Sequence, residues 1–110
     1  LNQKFTHDDR LSKEIRQVIY TGSRFRIKNV VMYIKESSRP RITVIAGKRT
    51  GKSNKRNKLK RRTREIFRKQ KCKLANYNMV IIYKKGSSEY NYGTIKEILN
   101  KLWTEAQVVK

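Results

Sequence analysis

Apolar residues along this chain fall into short sets, each with its own period. Ile15, Val18 and Ile19 recur at helical spacing behind Ser12, a residue suited to cap a helix, and Gly22 stands where a left-handed C-cap belongs. From Ser23 the period drops to two: Phe25 and Ile27 alternate with Arg24, Arg26 and Lys28, and then Val30, Val31, Met32, Tyr33 and Ile34 run together. This predicts two strands joined by a turn near Lys28 and Asn29. Ser37, Ser38, Arg39 and Pro40, the only proline, mark another turn, and a short β-branched strand follows from Ile42 to Ala46.

The second half repeats both periods. Residues 47–52 contain two glycines and read as a loop, after which Ser53 or Asn54 is placed to cap a helix running to about Lys69. On it Leu59, Thr63, Ile66 and Phe67 form a narrow docking stripe. Met79 to Tyr83 is apolar on both faces and so belongs in the middle of a sheet. A polar loop, 86–93, precedes a capping-box spacing at Thr94 and Glu97, and Ile95, Ile98, Leu99, Leu102, Trp103 and Ala106 then fit one helical face. The order αβββαβα predicts an α+β fold, a small mixed four-stranded sheet packed with three helices. Residues 1–10 lack periodicity and read as an extended arm, and 110 residues suit one domain.

Charge changes the picture. The formal net charge is +21, and between Lys48 and Lys73 there are 14 lysines and arginines against one acid, Glu65. A polyanionic partner would relieve the resulting self-repulsion, and nucleic acid is the default. No apolar run approaches the roughly 20 residues of a membrane span, and no signal-peptide pattern opens the sequence, so a cytoplasmic protein without a membrane partner is expected. One cysteine, Cys72, and one histidine, His7, argue against a disulfide framework or a Cys/His zinc site.

A basic run is often only a solvated face. Here, however, Lys55, Arg56 and Lys58 occupy the first turns of a helix, where cations oppose the dipole, and Arg56 and Lys60 repel at i, i+4. A bound phosphate would turn these penalties into affinity. Ala46 to Ser53 also spells a relaxed Walker A loop, but the strict form has Gly where Ala46 stands, and no alternating βα series surrounds it. The later strand ends in Tyr83, Lys84 and Lys85 without a carboxylate for magnesium, so no nucleotide cofactor is expected.

The more specific signal is Arg56, Asn57, Lys60, Arg61, Arg64 and Glu65, spelling R-N-x-x-K-R-x-x-R-E. With Arg10 and Leu11, Gly22, Val31 to Tyr33, Lys48, Arg49 and Gly51 in order, the chain resembles the family of bacterial ribonuclease P protein subunits over most of its length. The spacing suits RNA by itself: Arg56, Lys60 and Arg64 make one row and Asn57, Arg61 and Arg64 its neighbour, offering forks for phosphate and an amide for a base edge or 2′-hydroxyl. Glu65 either orients Arg61 one turn away or forms a plain surface pair.

The resemblance implies a left-handed βαβ crossover around the basic helix, against the usual right-handed preference, with RNA contacts from Lys48, Arg49, Lys52, Arg56, Asn57, Lys58, Lys60, Arg61 and Arg64. The usual Arg-Asn-Arg triplet reads Arg56, Asn57, Lys58 and so lacks one fork. It further implies a cleft for the single-stranded 5′ leader of precursor tRNA, at Ile15, Ile19, Tyr33 and Tyr83; phenylalanines usual in the family are replaced by Ile15 and Ile19, and all four could equally be core. Eight acids scattered through basic surroundings and a single imidazole supply neither a metal cluster nor an acid–base pair. No catalytic residue is expected in the protein. The resemblance implies that a partner RNA carries out magnesium-dependent hydrolysis, holding the metal itself, with no organic cofactor. A general RNA-binding protein of ribosomal type is the alternative, and the leader cleft separates the two.

Overall fold

The computed structural model describes residues 12–110; the expected arm, with His7, Asp8 and Asp9, and the Arg10–Leu11 pair lie outside the described residues. Helix α1 (Lys13–Thr21) leads into strands β1 (Ser23–Ile27), β2 (Val30–Glu36) and β3 (Arg41–Ala46). The long basic helix α2 (Ser53–Gln70), strand β4 (Tyr77–Tyr83) and helix α3 (Tyr92–Glu105) complete the expected αβββαβα order.

The sheet order is β1-β2-β4-β3, with β4 antiparallel to β2 and parallel to β3. Helix α2 is therefore the crossover between parallel neighbours, and β4 is the buried centre that its continuous apolar run requires. Alternation along the strands divides the core in two. Met32, Ile34, Val44, Met79, Ile81 and Tyr83 point toward Leu59, Ile66 and Phe67 of α2 and Ile98, Leu102 and Trp103 of α3. Val31, Tyr33, Val80 and Ile82 point the other way and bury Val18 and Ile19 of α1.

Three local expectations need correction. Gly22 closes α1 through its N–H to Val18 O at 2.8 Å, but with extended backbone, φ −80° and ψ 168°. It is glycine because any Cβ there would overlap the carbonyl oxygens of Ile34 and Val18, so close approach and not left-handedness selects it. Helix α2 starts one residue earlier than a Ser53 cap would allow: Lys52 is the N-cap and supplies no side-chain hydrogen bond. Helix α3 also starts earlier, because Asn91 Oδ1 accepts from Thr94 N at 2.8 Å and draws Tyr92 and Gly93 into the first turn. The turn at Lys28 is as expected, with Lys28 itself at φ 52°.

Candidate nucleic-acid interface

The basic helix is fixed from below. Leu59, Thr63, Ile66 and Phe67 are buried, as their spacing predicts, and Thr63 Oγ1 lies 2.6 Å from Tyr83 Oη on the central strand. With this stripe facing the sheet, the helical period of about 100° per residue fixes where the other side chains go. Arg61 lies opposite the stripe and is exposed, and Asn57 and Arg64 flank it, also exposed. Arg56 and Lys60 sit lower on that flank and are half-buried. Arg56, Asn57, Lys60, Arg61 and Arg64 thus form one continuous surface. Lys58 does not share it, since it projects from the other flank beside Lys55 and Arg62.

Arg56 also braces the helix start, because its Nε donates to Gly51 O at 3.1 Å and ties the helix to the loop before it. That loop is the segment with the Walker-like spelling. Lys48–Thr50 forms a 3-10 turn, and Thr50 is buried with its hydroxyl donating to Tyr83 O at 3.2 Å. A Cβ on Gly51 would meet Ser88, so the inner side of the loop is filled by protein. Lys48, Arg49 and Lys52 project from its outer side and are exposed. They stand beside the N-terminus of α2, whose first turn holds no acid. N–H groups, helix dipole and three cations there all favour an anion.

Glu65 pairs with Lys69 at 3.5 Å one turn later, so the surface-pair alternative is the one realised and the motif arginines keep their forks.

The four residues expected in the leader cleft do not come together. Tyr33 and Ile19 share the sheet face beneath α1, with Ile15 half-buried at its margin. Tyr83 is on the opposite face. Strand alternation places it with Met79 and Ile81, and burial holds its hydroxyl protonated well above the ordinary tyrosine range. Tyr83 is a core residue that docks the basic helix.

Tyr33 differs, because its hydroxyl is buried without a hydrogen-bond partner among the described residues. Arg24 stands directly across the ladder from Tyr33 and is exposed. No motif marks this cation in the sequence; the alternation of Arg24 and Arg26 with Phe25 and Ile27 is the signal that points to it. Lys35 and Arg41, on the same side of the sheet, are engaged by α1: Lys35 Nζ donates to Thr21 Oγ1 at 3.1 Å, and Arg41 pairs with Glu14 at 3.3 Å.

Among the described residues no three His, Cys, Asp or Glu side chains gather where a metal could sit, and no helix is long and apolar enough to cross a membrane. The arrangement offers two basic surfaces, one on α2 and its preceding loop and one beside α1, where Arg24 stands exposed on the same sheet face as the buried Tyr33.

Comparison with known proteins gives a consistent result. The model of the Ribonuclease P family matches residues 5–107. The ribonuclease P protein component of Dictyoglomus turgidum is 32% identical over 113 residues, covering 96% of this chain and 95% of the relative. That of Streptococcus agalactiae is 29% identical over 98 residues, covering 87% and 90%. Among solved structures, the RNase P protein of Thermotoga maritima in complex with 1-(4-fluorophenyl)-2-thiourea superposes with a TM-score of 0.76 at 29% identity, covering 84% of this chain and 94% of that one. The Staphylococcus aureus RNase P protein shares the fold with a TM-score of 0.83 at 19% identity, covering 91% and 94%.

Proposed function

The chain belongs to the ribonuclease P protein family, and from that premise we propose that it binds the RNA subunit through the outward face of α2 and the 5′ leader of precursor tRNA along the sheet face under α1. The observation that carries the reading is the motif surface: Asn57, Arg61 and Arg64 stand exposed on a helix whose other side is locked to the sheet by Leu59, Thr63, Ile66 and Phe67. A row of guanidiniums and one amide on a rigid helix, spaced about 6 Å along its axis at every fourth residue, matches a phosphate backbone better than a mobile tail would. Its backbone geometry is set before RNA arrives, so binding has only the side chains to order.

The protein's part in the reaction is binding and positioning. Cations at Arg56, Lys60, Arg61 and Arg64 lower the repulsion between RNA subunit and substrate, and a held leader fixes the scissile phosphate relative to the RNA subunit. Magnesium, when bound, supplies the charge stabilisation and the activated water, and its ligands belong to the RNA. A cytoplasmic site of action fits this role.

The decisive experiment is reconstitution. Added to a bacterial ribonuclease P RNA at low magnesium, the protein is expected to restore precursor-tRNA cleavage at the mature 5′ end. Folded protein that gives no stimulation would refute the reading and favour a general RNA-binding role.

A further inference from the structure

The flank of α2 turned away from the motif row is followed by two successive basic hollows, together called the groove below. Lys55, Lys58 and Arg62 look across a space of about 190 Å³ toward Tyr90 and Asn91. Further along, Lys69 of the same flank and Lys73, in the 3-10 turn that follows the helix, look across about 510 Å³ toward Tyr92, Lys96 and Asn100. From Lys55 to Lys69 the helix rises about 21 Å, room for several nucleotides.

The acids on this flank are already engaged: Glu89 holds Lys55 at 3.0 Å and Glu65 holds Lys69 at 3.5 Å. Lys73 and Lys96 have no acidic partner among the described residues, and both are exposed. Lys69 Nζ also lies 5.8 Å from the centre of the Tyr92 ring. Tyr90 and Tyr92 rest on the edge of the core and are half-buried, so their rings are held in place while part of each remains accessible. One wall is therefore a line of cations, and the other carries two fixed aromatic rings with two amides, Lys96 and the engaged Glu89 beside them.

That combination suits single-stranded nucleic acid, with phosphates along the lysines, bases against the rings and base edges within reach of the amides. An acidic protein segment would use the lysines but has no need of the rings.

We propose that this groove binds a single-stranded segment of RNA, so that α2 sits between two RNA segments, the motif row on one and the groove on the other. The proposal rests on the reading of the motif row as an RNA contact. Either the RNA subunit or precursor tRNA could supply the segment, and the test separates them.

Particles are assembled with 5-iodouridine in one RNA or the other, irradiated, and the crosslinked residues mapped. Adducts on Tyr92 or Tyr90 are expected from one of the two RNAs. They should fall at least fivefold in the Lys73→Gln, Lys96→Gln double variant, and the salt slope of binding should drop by about 1.4 for the two charges. Tyr92→Phe, which keeps the ring, should bind RNA as the parent does, and Tyr92→Leu should bind it several-fold more weakly. No adduct at either tyrosine, or adducts undiminished in the double variant, would overturn the proposal, as would Lys73- and Lys96-dependent binding of polyglutamate without any RNA adduct. Arg61→Ala keeps the two readings apart: weakened RNA-subunit affinity without a groove adduct removes only the second surface, and unchanged affinity removes the first and with it the two-sided arrangement.

Discussion

The hydroxyls of Thr63 and Tyr83 meet at 2.6 Å in the buried seam between the basic helix and the central strand. Because Thr63 Oγ1 also donates to Leu59 O at 2.8 Å, its single proton is committed, and Tyr83 must be the donor to Thr63. The two truncations are therefore unequal. Thr63→Val strands a buried O–H and should cost about 1–3 kcal/mol, whereas Tyr83→Phe leaves only an acceptor lone pair and should cost less. The double variant should be more stable than the sum of the two predicts, because neither orphan remains. Urea unfolding of the four proteins measures this; additive losses would contradict the pairing, and a larger loss in Tyr83→Phe than in Thr63→Val would contradict the donor assignment.

The same pair predicts a pH dependence. Burial raises the Tyr83 pKa above its unfolded value of about 10, so its contribution is complete below pH ~10 and is lost as the pH climbs through the folded value. The stability difference between the parent and Tyr83→Phe should be constant from pH 7 to 9 and should shift against the parent above about pH 10. Chemical denaturation at intervals across that range provides the readout, and a difference that stays constant through about pH 11 would show that the hydroxyl is solvated and titrates alike in the folded and unfolded protein.

Arg61 and Arg56 separate affinity from stability. Arg61 is exposed opposite the docking stripe, so Arg61→Ala should leave the melting temperature unchanged, weaken binding to ribonuclease P RNA and reduce the magnitude of the salt slope by about one charge. Arg56 also donates to Gly51 O, and Arg56→Ala should add a stability loss of about 0.5–1.5 kcal/mol to its effect on RNA. Parallel thermal melts and salt titrations distinguish them. A salt slope unaltered in Arg61→Ala would mean that the guanidinium does not face phosphate.

Much of this arrangement is legible in the sequence, for identifiable reasons. Period decides elements, and the stripe Leu59, Thr63, Ile66 and Phe67 is long enough to fix the orientation of α2, from which the exposed motif row follows. The central position of β4 follows from apolar residues on both its faces. Helix starts are less legible because several adjacent side chains could cap: Asn91 competes with Thr94, and Gly51 delivers the chain to Lys52 ahead of Ser53. Tyr83 is easily misplaced because an aromatic residue at a strand end looks alike whichever way it points; only the parity shared with Met79 and Ile81 sends it to the α2 side. Gly22 marks the end of α1 in the sequence, but the reason for it, the approach of Ile34 O, is a tertiary contact that no local pattern encodes.

The face beneath α1 yields a prediction in three variants. Ile19 is buried against Val18, Tyr33 and Val80, so Ile19→Phe overfills the core and should cost about 1–3 kcal/mol of stability. Ile15 is half-buried at the margin, and Ile15→Phe should fold normally and offer a ring to the leader, tightening its binding by up to ~1–3 kcal/mol. Tyr33→Phe removes a buried hydroxyl that has no partner among the described residues, and should leave the free protein as stable or more so. If leader RNA supplies the missing acceptor, the same variant should bind precursor tRNA several-fold more weakly than the parent and mature tRNA equally well. Affinities for precursor and mature tRNA, measured on reconstituted particles alongside melts of the free proteins, test all three. Equal precursor affinity in Tyr33→Phe and Ile15→Phe would show that the leader does not run along this face.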